Sequence, residues 1–364
     1  MQFNFLHIIT LIGISQGVFL AVLLLMKQGK TLINLPLIIY ILLMSASLTN
    51  TLLMSVGISL SLFGFAYLAD LCNLAYGLLI FLYTRNKIKG KPVLKKQDLW
   101  LLVPFTLYFI YYLLFYKDVP YSNTTGYLNS GIEFGGHIGE WLFEVVVNIG
   151  FLIASLHLLR KYHWQIRQNY SAIEKINFIV TRNLLIVCFI VYAFETLLIL
   201  LLAVGFHVAE ASYYIIYGLF SLTLFAFGYN ELIYSNSVPV FVIKEEKYKK
   251  STLKSDSSKQ IAENLLTYMQ EHKPYLNPDI TLKNLSELIG EQPHILSQVI
   301  NENFNQNYYE FINSYRIEEA KRLLKETEYK NYTLTAIGFE AGFNSKSAFY
   351  AAFKKSTGST PAKY

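Results

Sequence analysis

Hydrophobic positions are distributed unevenly along this chain. Long runs in which nearly every residue is apolar fill the part before Asn236, and short segments with a single apolar face fill the part after it. A helix rising ~1.5 Å per residue needs about 20 apolar residues to cross ~30 Å of hydrocarbon. Seven runs meet or approach that length, at 5–26, 32–54, 59–83, 99–116, 140–159, 184–204 and 212–229, and they predict a seven-helix transmembrane bundle over 1–235. Residues 236–258 lose the apolar pattern and carry Lys244, Lys247, Lys249, Lys250 and Lys254 ahead of a Ser-rich stretch, as a tether would. From 259 to 364 apolar residues recur at helical spacing between Gly, Pro and Asn breaks. This predicts a small helical domain with segments at 261–271, 282–289, 293–304, 308–325, 334–341 and 347–356. The fold class is therefore all-α in both halves.

Composition agrees that a bilayer is part of the answer, since 53% of residues are hydrophobic and only 15% are charged. Charge placement then orients the spans. The connections on one side hold 13 Lys and Arg, from Lys27 and Lys30 through the cluster 85–96 to the group 160–182, whereas those on the other hold Lys117 alone. By the positive-inside rule the N-terminus is outside and the C-terminus inside, as an odd number of spans also requires. The first run lacks a basic flank and a small-residue cleavage site, and is expected to be a span rather than a signal peptide. The expected location is the inner (cytoplasmic) membrane, multi-pass, with the lipid bilayer as a partner. Cys72 and Cys188 fall inside apolar runs, with neither disulfide nor metal spacing.

Polar groups at membrane depth are costly and usually pair or line a cavity. Asp70 and Asn73, Asn148 and His157, and Glu195 are such groups. Asp70 and Glu195 are the candidate centre of a sensing network, with helix-helix adhesion as the alternative. A second candidate lies in the longest outer connection, where Glu133, His137, Glu140 and Glu144 are spaced 4, 3 and 4. On one helical face these residues could sense a divalent metal or pH. Gly135 and Gly136 oppose a continuous helix there, and the alternative is a solvated surface.

The C-terminal part contains an internal repeat. Leu282, Leu285, Ile289 and Gly290 recur 52 positions on as Leu334, Ile337, Ala341 and Gly342, and Leu296, Val299 and Ile300 recur 53 positions on as Phe349, Ala352 and Phe353. Each copy reads as a helix, a turn opening at glycine, and a second helix packing back on the first. That is a helix-turn-helix, whose second helix enters the major groove. Segment 308–325, with Phe311, Ile312, Tyr315, Ala320, Leu323 and Leu324 apolar, would separate the copies. The run Leu296-Ser297-Gln298, the group Tyr315-Arg316-Ile317 with Ala320 and Leu323-Leu324, and the closing Ile337, Gly342-Phe343, Ser347, Phe349, Phe353-Lys354-Lys355, Gly358, Thr360-Pro361 and Tyr364 resemble the AraC/XylS family DNA-binding domain over 259–364.

That resemblance implies transcription regulation, with double-stranded DNA as a partner and a homodimer as a plausible assembly. It also implies reading positions at His294, Ser297, Gln298 and Asn301 in the first copy, and at Asn344, Ser345, Lys346, Ser347 and Tyr350 in the second. The side-chain chemistry fits, since Gln298 and Asn301 can pair with adenine edges while Ser297, Ser345 and Lys346 suit phosphate oxygens. Residues 257–364 carry 12 basic and 12 acidic side chains, so net charge adds no argument for DNA. The sequence holds no nucleophile-base-acid constellation, and neither an enzyme nor a cofactor is expected. The leading expectation is a membrane-embedded one-component regulator responding to an unidentified stimulus. The alternative is a transporter or membrane receptor whose helix-turn-helix tail binds protein.

Overall fold

The computed structural model describes residues 5–27, 31–55, 65–92, 96–115, 138–174, 176, 178–204, 206, 210–234 and 255–364. Among them the fold is helical throughout. Seven helices precede the linker: α1 (Phe5–Met26), α2 (Thr31–Ser55), α3 (Phe65–Lys89), α4 (Val103–Phe115), α5 (Ile138–Asn169), α6 (Ile179–Ala203) and α7 (Glu210–Tyr234). Six follow it: α8 (Ser255–His272), α9 (Leu282–Ile289), α10 (Pro293–Phe304), α11 (Tyr308–Leu323), α12 (Leu334–Glu340) and α13 (Lys346–Thr357). The chain divides into two compact units, Met1–Leu159 with Phe178–Ile243, and Arg160–Asn177 with Lys244–Tyr364. The boundary falls within α5, whose last ten residues, beyond the apolar run, join the C-terminal unit.

In the first unit α1 packs on α2 and α7, α2 on α3, and α6 on α7. Among the described residues four helical stretches are long and apolar enough to cross a membrane: His7–Met26, Thr31–Asn50, Trp141–Asn169, which runs on into the second unit, and Ile179–Leu198. Asp98–Tyr111 and Gly218–Ile233 are shorter apolar helices. The outer faces are apolar as well, with Phe19, Leu32 and Val146 largely exposed, so the unit presents hydrocarbon both inside and out. Asn148 is fully buried. Its amide oxygen accepts the Gly77 backbone N–H at 2.6 Å and its amide nitrogen donates to the Asn73 carbonyl at 3.1 Å. These two hydrogen bonds thus fasten α5 to α3, the adhesive role open to polar groups at this depth.

The second unit has two cores. Leu265 and Met269 of α8, Leu282 and Leu285 of α9, Leu296 and Ile300 of α10, and Tyr308, Phe311 and Ile312 of α11 form the first. Ile317, Ala320 and Leu323 of α11, Ile337 of α12, Phe343, and Phe349 and Phe353 of α13 form the second. α11 therefore gives its N-terminal half to one core and its C-terminal half to the other, and its 16 residues make a rod about 24 Å long, at ~1.5 Å per residue, shared between the two.

Local chemistry explains where these helices begin and end. Thr281 and Thr333, 52 positions apart, each accept a backbone N–H three residues on at 3.1 Å, capping α9 and α12. Asn307 and Glu310 close a capping box at the start of α11. Gly290 and Gly342 open the two turns at φ 79° and 94°, a region that glycine enters without the Cβ penalty. The turns match, but their surroundings differ. A side chain at Gly342 would stand 2.9 Å from the Leu276 Cα, whereas Gly290 faces open space.

Candidate nucleic-acid interface

The second helix of each copy carries the polar positions expected to read DNA, and the two copies present them differently. In the second, Ser345 caps α13, its hydroxyl accepting the Ala348 N–H at 3.1 Å and lying 3.2 Å from the Ser347 hydroxyl. Lys346 and Ser347 are exposed, and the Lys346 ammonium sits 5.5 Å from the centre of the Tyr350 ring. Asn344 is half-buried in the turn before them. These five residues form one continuous polar edge, with a cation held by an aromatic face beside a helix N-terminus, where anions are favoured.

In the first copy the arrangement departs from expectation at one residue. His294 and Gln298 are half-buried, and Asn301 is exposed. The Gln298 amide donates to Glu302 at 2.8 Å along the helix. Ser297, expected to face outward, is only 2% exposed. The reason is Gln168, from the end of α5, whose amide oxygen lies 3.4 Å from the Ser297 hydroxyl and 3.2 Å from the Asn301 amide nitrogen. Nothing in the local sequence signals this contact, which joins residues 129 and 133 positions apart.

The pin beneath the first copy is Arg316, 1% exposed. It donates to the carbonyls of Tyr275 at 2.8 Å, Asn277 at 2.9 Å and Pro278 at 3.3 Å, and to the carbonyl and hydroxyl of Ser171 at 3.3 and 3.2 Å. Burial pulls its guanidinium down to about 10, against the opposing influence of Tyr308, Glu174, Tyr309 and Asp279. It stays charged at neutral pH, and its spread of carbonyl partners offsets the burial of that charge. Acidic groups nearby are paired within the domain. Glu319 bonds Arg322 at 2.7 Å and Glu318 bonds Lys321 at 2.7 Å. Lys355 of α13 reaches Glu310 of α11 at 2.7 Å.

The candidate sensing residues are described only in part. His137 and Glu133 lie outside the described residues, while Asp70 and Glu140 are described as helical positions of α3 and α5 and not as side chains. Glu144 of α5 and Glu195 of α6 are both half-buried, and Tyr192 of α6 is buried. His157 is exposed on α5, contrary to the expectation that it faces the bundle interior. Among the described residues no cluster of three His, Cys, Asp or Glu is placed to hold a metal.

The first unit also holds a charged site that sequence reasoning passed over. Lys87, counted among the cations of a connection, is 8% exposed and pairs at 2.6 Å with Glu231 of α7, itself 2% exposed. The Tyr83 hydroxyl donates to the same carboxylate at 2.7 Å, and Lys27 donates to the carbonyls of Glu231 and Leu232 at 3.0 and 2.9 Å, closing the end of α7. Arg85 pairs with Asp98 at 2.7 Å. Local sequence gives no signal for the Lys87–Glu231 pair, since Lys87 belongs to the basic cluster 85–96 and Glu231 lies just beyond the run 212–229.

A family model described as a helix-turn-helix domain matches residues 285–364. An HTH-type transcriptional regulator of Staphylococcus aureus strain COL is 32% identical over 114 residues, which is 31% of this chain and 14% of the relative. The HTH-type transcriptional regulator YobQ of Bacillus subtilis strain 168 is 34% identical over 117 residues, 32% of this chain and 44% of the relative. The chain thus spans less than half the length of either relative. No solved structure matches it.

Proposed function

We propose that this protein is a membrane-embedded transcription regulator that binds DNA through both helix-turn-helix copies. The observation that carries the reading is the pair of second helices α10 and α13, each seated on its own core at opposite ends of α11. This geometry suits two heads addressing neighbouring major-groove segments. Matching of the helix-turn-helix family model to 285–364, and the likeness to two HTH-type transcriptional regulators, support it. In this reading the first unit crosses the membrane seven times, with the N-terminus outside and the reading domain in the cytoplasm. Four helices of spanning length and an apolar exterior support that placement. The sensing role belongs to the bundle, around Asp70 and Glu195. The protein acts as a homodimer, with dimer geometry setting half-site spacing.

The test is binding of a 255–364 fragment to genomic DNA fragments across several salt concentrations. Particular fragments are expected to be preferred over bulk DNA, and Gln298→Ala is expected to cost about 1–3 kcal/mol at one base position only. Equal affinity for every fragment would remove the regulator reading and favour a protein-binding tail.

A further inference from the structure

One segment of the apolar half packs with the reading domain. Residues 160–177, the last ten residues of α5 and the start of its connection to α6, belong to the same compact unit as 244–364. The segment makes a graded set of contacts with the first copy. Gln168, 6% exposed, meets Ser297 and Asn301 on α10. Arg167 lies over the Tyr309 ring with 5.8 Å to its centre. Tyr170 forms an isolated antiparallel bridge with Thr281, the cap of α9. Ser171 donates its hydroxyl to the Ile280 carbonyl at 2.7 Å and receives Arg316 on both of its oxygens. Ile173 and Ile176 are 8% and 5% exposed. The contacts combine a helix end, backbone pairing, a buried cation and two apolar anchors, which is the make-up of a specific interface.

We propose that residues 160–177 form a docking surface for the first reading head, and that docking and DNA compete for the same face of α10. The inference rests on the reading of α10 as a DNA-contacting helix. Gln168 occupies the hydrogen-bonding groups of Ser297 and Asn301 that a base edge or phosphate would need, so a duplex cannot enter the groove-facing side of α10 while Gln168 stays. The second head is different, because Lys346 and Ser347 remain exposed. The docked chain therefore holds DNA by α13 alone, and undocking adds α10. Covalent continuity with α5 and α6 gives a stimulus acting on those helices a direct route to the dock. A ligand favouring the undocked state shifts the population by its differential affinity for the two states.

The experiment uses the full chain in lipid nanodiscs and the DNA fragment preferred by residues 255–364. Wild type is compared with Gln168→Lys combined with Ile173→Asp, changes that leave the reading domain untouched. A dock occupied nine-tenths of the time lowers apparent affinity about tenfold, so the variant is expected to bind about tenfold more tightly and to protect a longer stretch of DNA. Unchanged affinity and footprint would overturn the proposal. Docking is read separately by cross-linking Gln168→Cys to Asn301→Cys in a chain whose Cys72 and Cys188 are replaced by alanine. The cross-link is expected without DNA and suppressed by the preferred duplex. Absence of the cross-link, or a cross-link indifferent to bound DNA, would overturn the competition. If the cross-link forms but no DNA is preferred by either chain or fragment, the regulator reading falls and takes the competition with it, while the dock stands.

Discussion

The two helix-turn-helix copies share a plan and differ in their neighbours. Both begin at a threonine cap, turn at a left-handed glycine and pack a second helix on one half of α11. Yet the first has the polar face of α10 engaged by Gln168 and its base pinned by Arg316, whereas the second leaves Lys346 and Ser347 open. Equivalent positions in a repeat thus have equivalent backbone roles and unequal access. Accessibility is a property of what packs against the copy, and the packing partner of the first comes from another part of the chain.

The largest expected effect breaks the equivalence of the turns. Gly342→Ala forces both a left-handed Cβ, costing about 1–2 kcal/mol, and a collision with the backbone of Tyr275 and Leu276, for a total of about 3 kcal/mol. Gly290→Ala meets open space and costs only the first of these, about 1–2 kcal/mol. Urea unfolding of the 255–364 fragment measures both, and equal losses would show that the two turns are packed alike.

A smaller effect sharpens the contrast between the heads. Lys346→Ala removes one exposed cation beside the α13 helix start. It is expected to weaken binding to all sequences similarly and to reduce the salt slope by about 0.9. Filter binding over a salt series reads the slope. A sequence-dependent loss would place Lys346 on a base edge instead of a phosphate.

The smallest effect concerns the dock alone. Burial pushes the Glu174 carboxyl above its ordinary value, against the opposing charge of Arg316, and Tyr309 faces it as well. A carboxyl whose value is raised on docking favours the docked state fully below its free value and loses that contribution as pH rises through the raised value. The full chain, relative to the 255–364 fragment, should therefore bind DNA less well in mild acid than at neutral pH. Glu174→Gln should flatten the difference, and a flat profile in the unsubstituted chain would show that Glu174 stays ionised in the dock.

Much of the helical framework was legible from pattern. The bounds of α1, α9 and α10 coincide with runs read from hydropathy and turn residues, because caps and apolar spacing act within one or two turns. α5 is instructive in the other direction. Its apolar run stops at Leu159, where Arg160 and Lys161 follow, but the helix continues to Asn169. The continuation is amphipathic, with Leu159, Tyr162 and Ile166 at most 2% exposed; their three- and four-residue spacing was a helical signal that an apolar-run criterion passes over. α3 extends past the end of its apolar run into the cations 85–89, two of which are drawn into pairs by Asp98 and Glu231.

The sequence by itself determined the 52-residue repeat with its caps and turns, and the residue types on α10 and α13, since each depends on neighbours a few positions away. Only the tertiary structure decided that Gln168 covers Ser297, that Arg316 joins Ser171 to the carbonyls after Tyr275, and that Lys87 meets Glu231. Those contacts span 129, 145 and 144 positions. At such separations no local periodicity records a partner, and the choice among polar residues is made by which buried donor and acceptor the fold brings within hydrogen-bond reach.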